Sequence, residues 1–195
     1  HITIEQERRI QRCNSRRILS IDLGVNQPLA SVMLLDDVMK YHKFYGKEIK
    51  NEISKREKRY SQLQKSGVEE PNISRYTKRI NDLIHCYTKE IVSIAKQQNC
   101  CIVVGDITNI NKKWRNGRSS KQLRKKGNRI PYFKIAQQLL YKTILEGISI
   151  VFVGEEYTSQ RCSRCGKIRK ANRDGNWYAC DNCGYKQQAD LNGAI

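Results

Sequence analysis

The stretch RRILSIDLGVNQ, residues 16–27, is where the reading of the fold begins. It is a short apolar run interrupted by Asp22 and closed by Gly24. An ionised carboxylate within an apolar strand is costly unless it is paired or bound to a metal. Asp22 therefore reads as a site residue, against the plainer reading of a buried acid capping the turn. A flexible Gly two residues later allows a phosphate backbone to come close.

Working outward, LASVMLL (29–35) and VMKYHKFYG (38–46) read as two further strands joined by the tight polar turn DD. The period then turns helical over 47–66 and 73–98. In the second segment Ile73, Tyr76, Ile80, Leu83, Ile84, Tyr87, Ile91, Ile94 and Ala95 recur at three- and four-residue steps. SGVEEPN supplies the turn between the two helices. CIVVGDI (101–107) is a buried strand, 131–147 a helix with Pro at its start and Gly past its end, and ISIVFVGEE (148–156) another buried strand. ADLNGAI begins a last helix.

This order of elements suits an α/β sheet. Its first three strands form a meander, and its later strands pair in parallel through right-handed crossovers. It is the order of a ribonuclease-H-like fold, with a helical hairpin (47–98) inserted. The expected division is a core over 1–156, a cysteine-rich module over 157–186 and a last core segment over 187–195.

Thirty-seven Lys and Arg stand against nineteen Asp and Glu, a formal charge of +18. That excess favours polyanions and points first to nucleic acid. It is densest in the expected loop 111–129, which holds nine Lys or Arg and no acid. Lys112, Lys113, Trp114, Arg115, Arg118, Lys121, Arg124, Lys125, Lys126 and Arg129 are the candidate nucleic-acid contacts, with Trp114 as a stacking group. No apolar run approaches the roughly 20 residues that span a bilayer, so no membrane partner is expected. The polar start HITIEQERRI does not resemble a signal peptide, and it lacks Met, as a fragment would. A cytoplasmic location, prokaryotic or nucleoid-associated, is the expectation.

Four of the eight cysteines form CSRC…CDNC: Cys162, Cys165, Cys180 and Cys183. Each C-x2-C pair sets two thiolates around a tight turn, and four thiolates close a tetrahedral sphere. One structural Zn2+ is expected, in preference to two local disulfides. Lys167, Arg169, Lys170, Arg173 and Trp177 lie between the pairs. A solvated face explains them nearly as well as a strand-binding surface.

SIDLGVNQPLAS, YTSQRCSRCG and CGYKQQADLNGA resemble the C-terminal half of TnpB, the transposon-encoded RNA-guided nuclease family related to compact type V CRISPR effectors. The resemblance covers about residues 17–195. It implies a RuvC-like nuclease domain in which an Asp, a Glu and an Asp bind two Mg2+ ions and cut DNA. Guide RNA and target DNA are the implied partners.

By this resemblance Asp22 matches the first aspartate and Asp190 the last. The middle glutamate falls at Gly105. Asp106 follows it, but strand alternation turns adjacent residues to opposite faces. Some relatives with VGD at this point also keep a glutamate just before YTS, which makes Glu155, ahead of Glu156, the expected replacement. Asp106, or no middle carboxylate at all, are the alternatives. The last of these leaves a nuclease-inactive, RNA-guided DNA-binding protein as the rival function; strand transfer by a true transposase ranks third.

Overall fold

The computed structural model describes residues 10, 16–24, 27–105, 129–154 and 157–195. Strands β1 (Arg17–Asp22), β2 (Leu29–Leu35) and β3 (Val38–Tyr45) form the expected meander. Asp36 and Asp37 make the β2–β3 turn with φ of 49° and 60°. Positive φ at both central residues is what a two-residue hairpin of this twist demands, and Asp tolerates it better than most side chains.

Helices α1 (Lys47–Lys65) and α2 (Ser74–Gln97) follow, then β4 (Cys101–Gly105), α3 (Tyr132–Leu145) and β5 (Ile150–Val153). Gly46 opens α1 at φ 99°, where a Cβ would come within 2.6 Å of the Pro28 ring. Only glycine fits that corner without displacing Pro28.

The five strands form one mixed sheet in the order β3-β2-β1-β4-β5. β1 pairs antiparallel with β2 and parallel with β4, and β4 pairs parallel with β5. Leu19, Ile21, Ile102 and Val104 point to one face and pack with Ile49, Ile84, Ile91, Ile135 and Leu139 of the three helices. On the other face Val32 meets Leu191 and Ala194 of a short C-terminal helix, α4 (Ala189–Ala194).

β5 departs from expectation. It reads from sequence as a buried strand, yet Val151, Phe152 and Val153 are each about 40% exposed. The reason is position: β5 is the last strand in the order and has a partner on one side only. An apolar run does not distinguish a covered strand from an edge.

Beyond β5 lies a small antiparallel sheet of β6 (Arg173–Asp174), β7 (Trp177–Ala179) and β8 (Lys186–Gln188). β8 runs directly into α4. Among the described residues no helix is long and apolar enough to cross a membrane.

Candidate functional site

Asp22 ends β1 and is half-buried. The parallel register pairs Ile21 with Val104 and Gly105 with Val153. Continued by one residue, it sets Asp22 beside Gly105. Residues paired across neighbouring strands share a face, so Asp22, Gly105 and Val153 form one row at the C-terminal edge of the parallel strands. That row faces away from the helical core. Tyr132 donates from its hydroxyl to the Gly24 carbonyl at 2.9 Å, tying the turn after Asp22 to the start of α3.

Asp190 lies in the first turn of α4, but it does not cap the helix. Gln188 does: its side-chain oxygen accepts from the Leu191 N–H at 2.8 Å. Asp190 is 5% exposed. Its carboxylate accepts from the Gln188 amide at 3.1 Å and from the Arg173 guanidinium at 3.4 Å. Gly193 stands three residues further along the same helical face. A Cβ there would lie 3.8 Å from Asp22 Oδ2. α4 is therefore applied to the end of β1, at Gly193, three residues along the helix from Asp190.

The four cysteine sulfurs all lie within 4.8 Å of one another. Cys162 and Cys183 are 3.7 Å apart, and Cys165 and Cys180 3.6 Å. A tetrahedron with metal–sulfur bonds of about 2.3 Å has edges of about 3.8 Å, whereas a disulfide needs about 2.05 Å. The donor set and its spacing fit zinc. Each knuckle repeats the same bonds: Gly166 N–H to the Cys162 carbonyl at 2.9 Å, and Gly184 N–H to the Cys180 carbonyl at 3.0 Å. Both glycines take positive φ. The Cys165 thiol is pushed down to about 6, first by the Lys167 backbone N–H and then by the Asn182 amide. Both favour the thiolate that a metal requires.

The ribbon is joined to α4 through Asn192, which is 3% exposed. Its carbonyl accepts from Ser163 N–H at 3.0 Å and its amide donates to the Arg161 carbonyl at 2.8 Å. Asn192 thus bonds to the backbone on either side of Cys162, two residues from Asp190.

The structure sets α4, which carries Asp190, against the end of β1 at Asp22, and separately gathers the four cysteines. Glu155, Asp106 and the basic residues from Lys112 to Lys126 lie outside the described residues. Arg129, the last of that series, pairs with Glu57 of α1 at 2.5 Å. Sequence reasoning did not single out Gln188 or Asn192, and it counted Arg173 among the ribbon's surface cations. Nothing in sequence separated Gln188 and Asn192 from the other polar residues of the segment, or Arg173 from its basic neighbours.

Residues 132–195 match the family model described as Cas12f1-like, TNB domain. Over its whole length the chain is 29% identical to a CRISPR-associated endodeoxyribonuclease, Cas12f1, of Sulfoacidibacillus thermotolerans, and covers 48% of that relative. It is 27% identical to a TnpB-like protein of Aquifex aeolicus, over 96% of this chain and 67% of that one. In fold it is similar to a Cas12f1 chain solved by cryo-EM in a complex with sgRNA and target DNA. The TM-score is 0.72 at 20% identity, over 95% of this chain and 50% of that one. The chain thus spans about half the length of both Cas12f1 proteins.

The class is a Cas12f-like α/β fold, a mixed sheet carrying a four-cysteine cluster. Within that class the resemblance read from the motifs holds: the chain is similar to TnpB-like and Cas12f1 proteins, and residues 132–195 match the Cas12f1-like TNB family model.

Proposed function

We propose that this chain is the catalytic half of an RNA-guided DNA endonuclease, a RuvC-type domain of ribonuclease-H-like fold. Its core is 1–156 and 187–195, interrupted by a zinc ribbon over 157–186. The observation that carries the reading is the packing of α4 against the end of β1, which sets Gly193 beside the Asp22 carboxylate three residues from buried Asp190. The sheet order supports the ribonuclease-H-like assignment, and the names of the relatives support the activity.

Two Asp carboxylates are hard oxygen donors of the kind Mg2+ prefers. Asp22, Asp190 and, in this proposal, Glu155 would hold two Mg2+ ions, which when bound supply Lewis-acid activation of water and neutralise charge at the scissile phosphate. Glu155 follows β5 by two residues in the sequence and is the position the resemblance favours. Gly105, at the position the resemblance gives to the middle carboxylate, bears no side chain. Arg173 and Gln188 hold the Asp190 carboxylate in place between its turns of duty as a ligand. The ribbon and the 111–129 loop would guide single-stranded DNA to these acids, with a guide RNA pairing the target.

Gly105 also keeps the second reading in play, a guided DNA-binding protein without cleavage. The test is Mg2+-dependent cleavage of guide-matched DNA by the full-length parent protein, wild type against Glu155→Ala and Asp22→Ala. The proposal expects the wild type to cut and both variants to fall by at least about 100-fold, since a lost ligand costs several kcal/mol of transition-state charge stabilisation. Equal cutting by Glu155→Ala makes Asp106 the candidate. Target binding without cutting by any form establishes the second reading.

A further inference from the structure

The carboxylate of Asp22 rests between two glycines. A Cβ built on Gly24 would lie 3.8 Å from Asp22 Oδ2, and one built on Gly193 also 3.8 Å. The Gly193 side is held by α4, which Gln188 caps and which buried Leu191 and Ala194 seat on Val32. The Gly24 side is a turn past the end of β1. Glycine has more backbone freedom than any other residue, so the support on this side depends on what fixes the Gly24 peptide groups.

Both are bonded. The Gly24 N–H donates to the Gln27 carbonyl at 3.1 Å, which closes the turn on itself. The Gly24 carbonyl accepts from the Tyr132 hydroxyl at 2.9 Å, across 108 positions of the chain. The first bond is local and moves with the turn; the second ties the turn to the helical layer. Tyr132 is a firm anchor. It is 7% exposed and belongs to the main core, as does Ile130 just before it. Arg129 pairs with Glu57 of α1 at 2.5 Å, and the Ile135 N–H donates to the Pro131 carbonyl at 3.1 Å in the first turn of α3. A ring packed in this way presents its hydroxyl at a fixed point.

We infer that Tyr132 is a positioning residue for Asp22, and that its hydroxyl sets how tightly the carboxylate takes a divalent cation. The inference rests on the nuclease reading in one respect: Asp22 has to be a metal ligand. Tyr132 acts through a backbone carbonyl and not on the reacting atoms. Without the hydroxyl the Gly24 peptide is free to rotate, and a cation has to order the turn as it binds. Ordering that is left until binding lowers affinity, and groups that orient metal ligands are worth about 10–100-fold when removed.

The test is Mn2+ binding to the full-length parent protein without nucleic acid, followed by the electron paramagnetic resonance of the free ion; Mn2+ suits the same carboxylate oxygens as Mg2+. Wild type, Asp22→Ala, Tyr132→Phe and Tyr45→Phe are compared. Tyr45→Phe is the control, a tyrosine of the same core whose hydroxyl donates to Glu90 of α2 at 3.2 Å. Asp22→Ala is expected to abolish a Mn2+ site, and Tyr132→Phe to weaken that site about tenfold, while Tyr45→Phe binds as the wild type does. In cleavage, Tyr132→Phe should need about tenfold more Mg2+ for half-maximal rate, with KM for target DNA unchanged and kcat restored by excess Mg2+. Melting curves check that both Phe variants fold; each keeps its ring in the core. Wild-type Mn2+ affinity in Tyr132→Phe, beside a lost site in Asp22→Ala, overturns the inference and leaves the nuclease reading standing. An equal loss in Tyr45→Phe overturns it too, since that reflects general loosening, as does a kcat that excess Mg2+ fails to restore. Mn2+ binding unchanged in Asp22→Ala overturns the nuclease reading itself, and this inference with it.

Discussion

Gly193 has two opposed demands on it. Glycine inside a helix is less favourable than alanine by up to about 1 kcal/mol, so at position 193 it is a local liability. Its missing Cβ leaves 3.8 Å of clearance to Asp22 Oδ2. A methyl group there would touch the carboxylate without clashing, and would narrow the space in which it takes a ligand. Gly193→Ala should therefore raise thermal stability slightly while raising the Mg2+ concentration needed for half-maximal cleavage. A variant that gains stability and keeps the wild-type Mg2+ requirement would show that Gly193 faces the site without shaping it. Arg173 makes a second residue-level case. Arg173→Ala removes the cation nearest Asp190, and cleavage should fall about tenfold or more with little change in melting temperature, because the side chain is about a third exposed.

At the scale of elements, the α2–α3 seam carries a buried lysine that joins no ion pair among the described residues. Lys142 is 8% exposed and donates to Thr88 Oγ1 at 2.6 Å, to the His85 carbonyl at 2.8 Å and to Gln138 Oε1 at 3.1 Å. Burial pushes its pKa down to about 8, from 10.5 for a free lysine. Between those values the unfolded chain holds the proton that the folded chain has released. Stability contributed by this residue therefore rises from about pH 8 to pH 10.5 and is flat below. Denaturant midpoints of wild type and Lys142→Met, compared at pH 7.5 and 10, should diverge in the wild type's favour at the higher pH. A constant difference would mean that Lys142 titrates normally. The seam also marks the limit of what periodicity reveals. The hydrophobic steps of α2 were legible because one face is apolar along its length, and Ile80, Ile84 and Ile91 are buried as they predict. Lys142 gave no sign, since a cation in an amphipathic helix reads as solvent-facing. β5 misled for the converse reason: its apolar run records the residues' chemistry, whereas its exposure depends on which neighbours the sheet supplies. Asp22 and the cysteines were legible because their chemistry conflicts with their surroundings. Gln188, Asn192 and Arg173 act through contacts made only after folding.

Across the whole molecule, those contacts make the cysteine ribbon part of what holds α4 and Asp190. The ribbon's buried cluster is Cys162, Tyr178, Cys180 and Ala189, so half of it belongs to the four-cysteine group. With so little apolar area, zinc in that group, as proposed, would supply most of its folding free energy. Three of its links then end at α4: Asn192 to the first knuckle, Gln188 to the cap of the helix, and Arg173 to Asp190. The main core, from Leu19 to Ile148, does not include the ribbon. A chelator selective for zinc over magnesium should therefore leave the sheet's cooperative melting in place and abolish the near-ultraviolet signal of Tyr178 and its neighbours. In the full-length parent it should also stop cleavage, and excess Mg2+ should not restore it, because Asp190 would have lost its supports. Zinc added back should recover both signal and activity. Cleavage that survives the loss of the ribbon's signal would show that α4 holds Asp190 through its packing on Val32 alone.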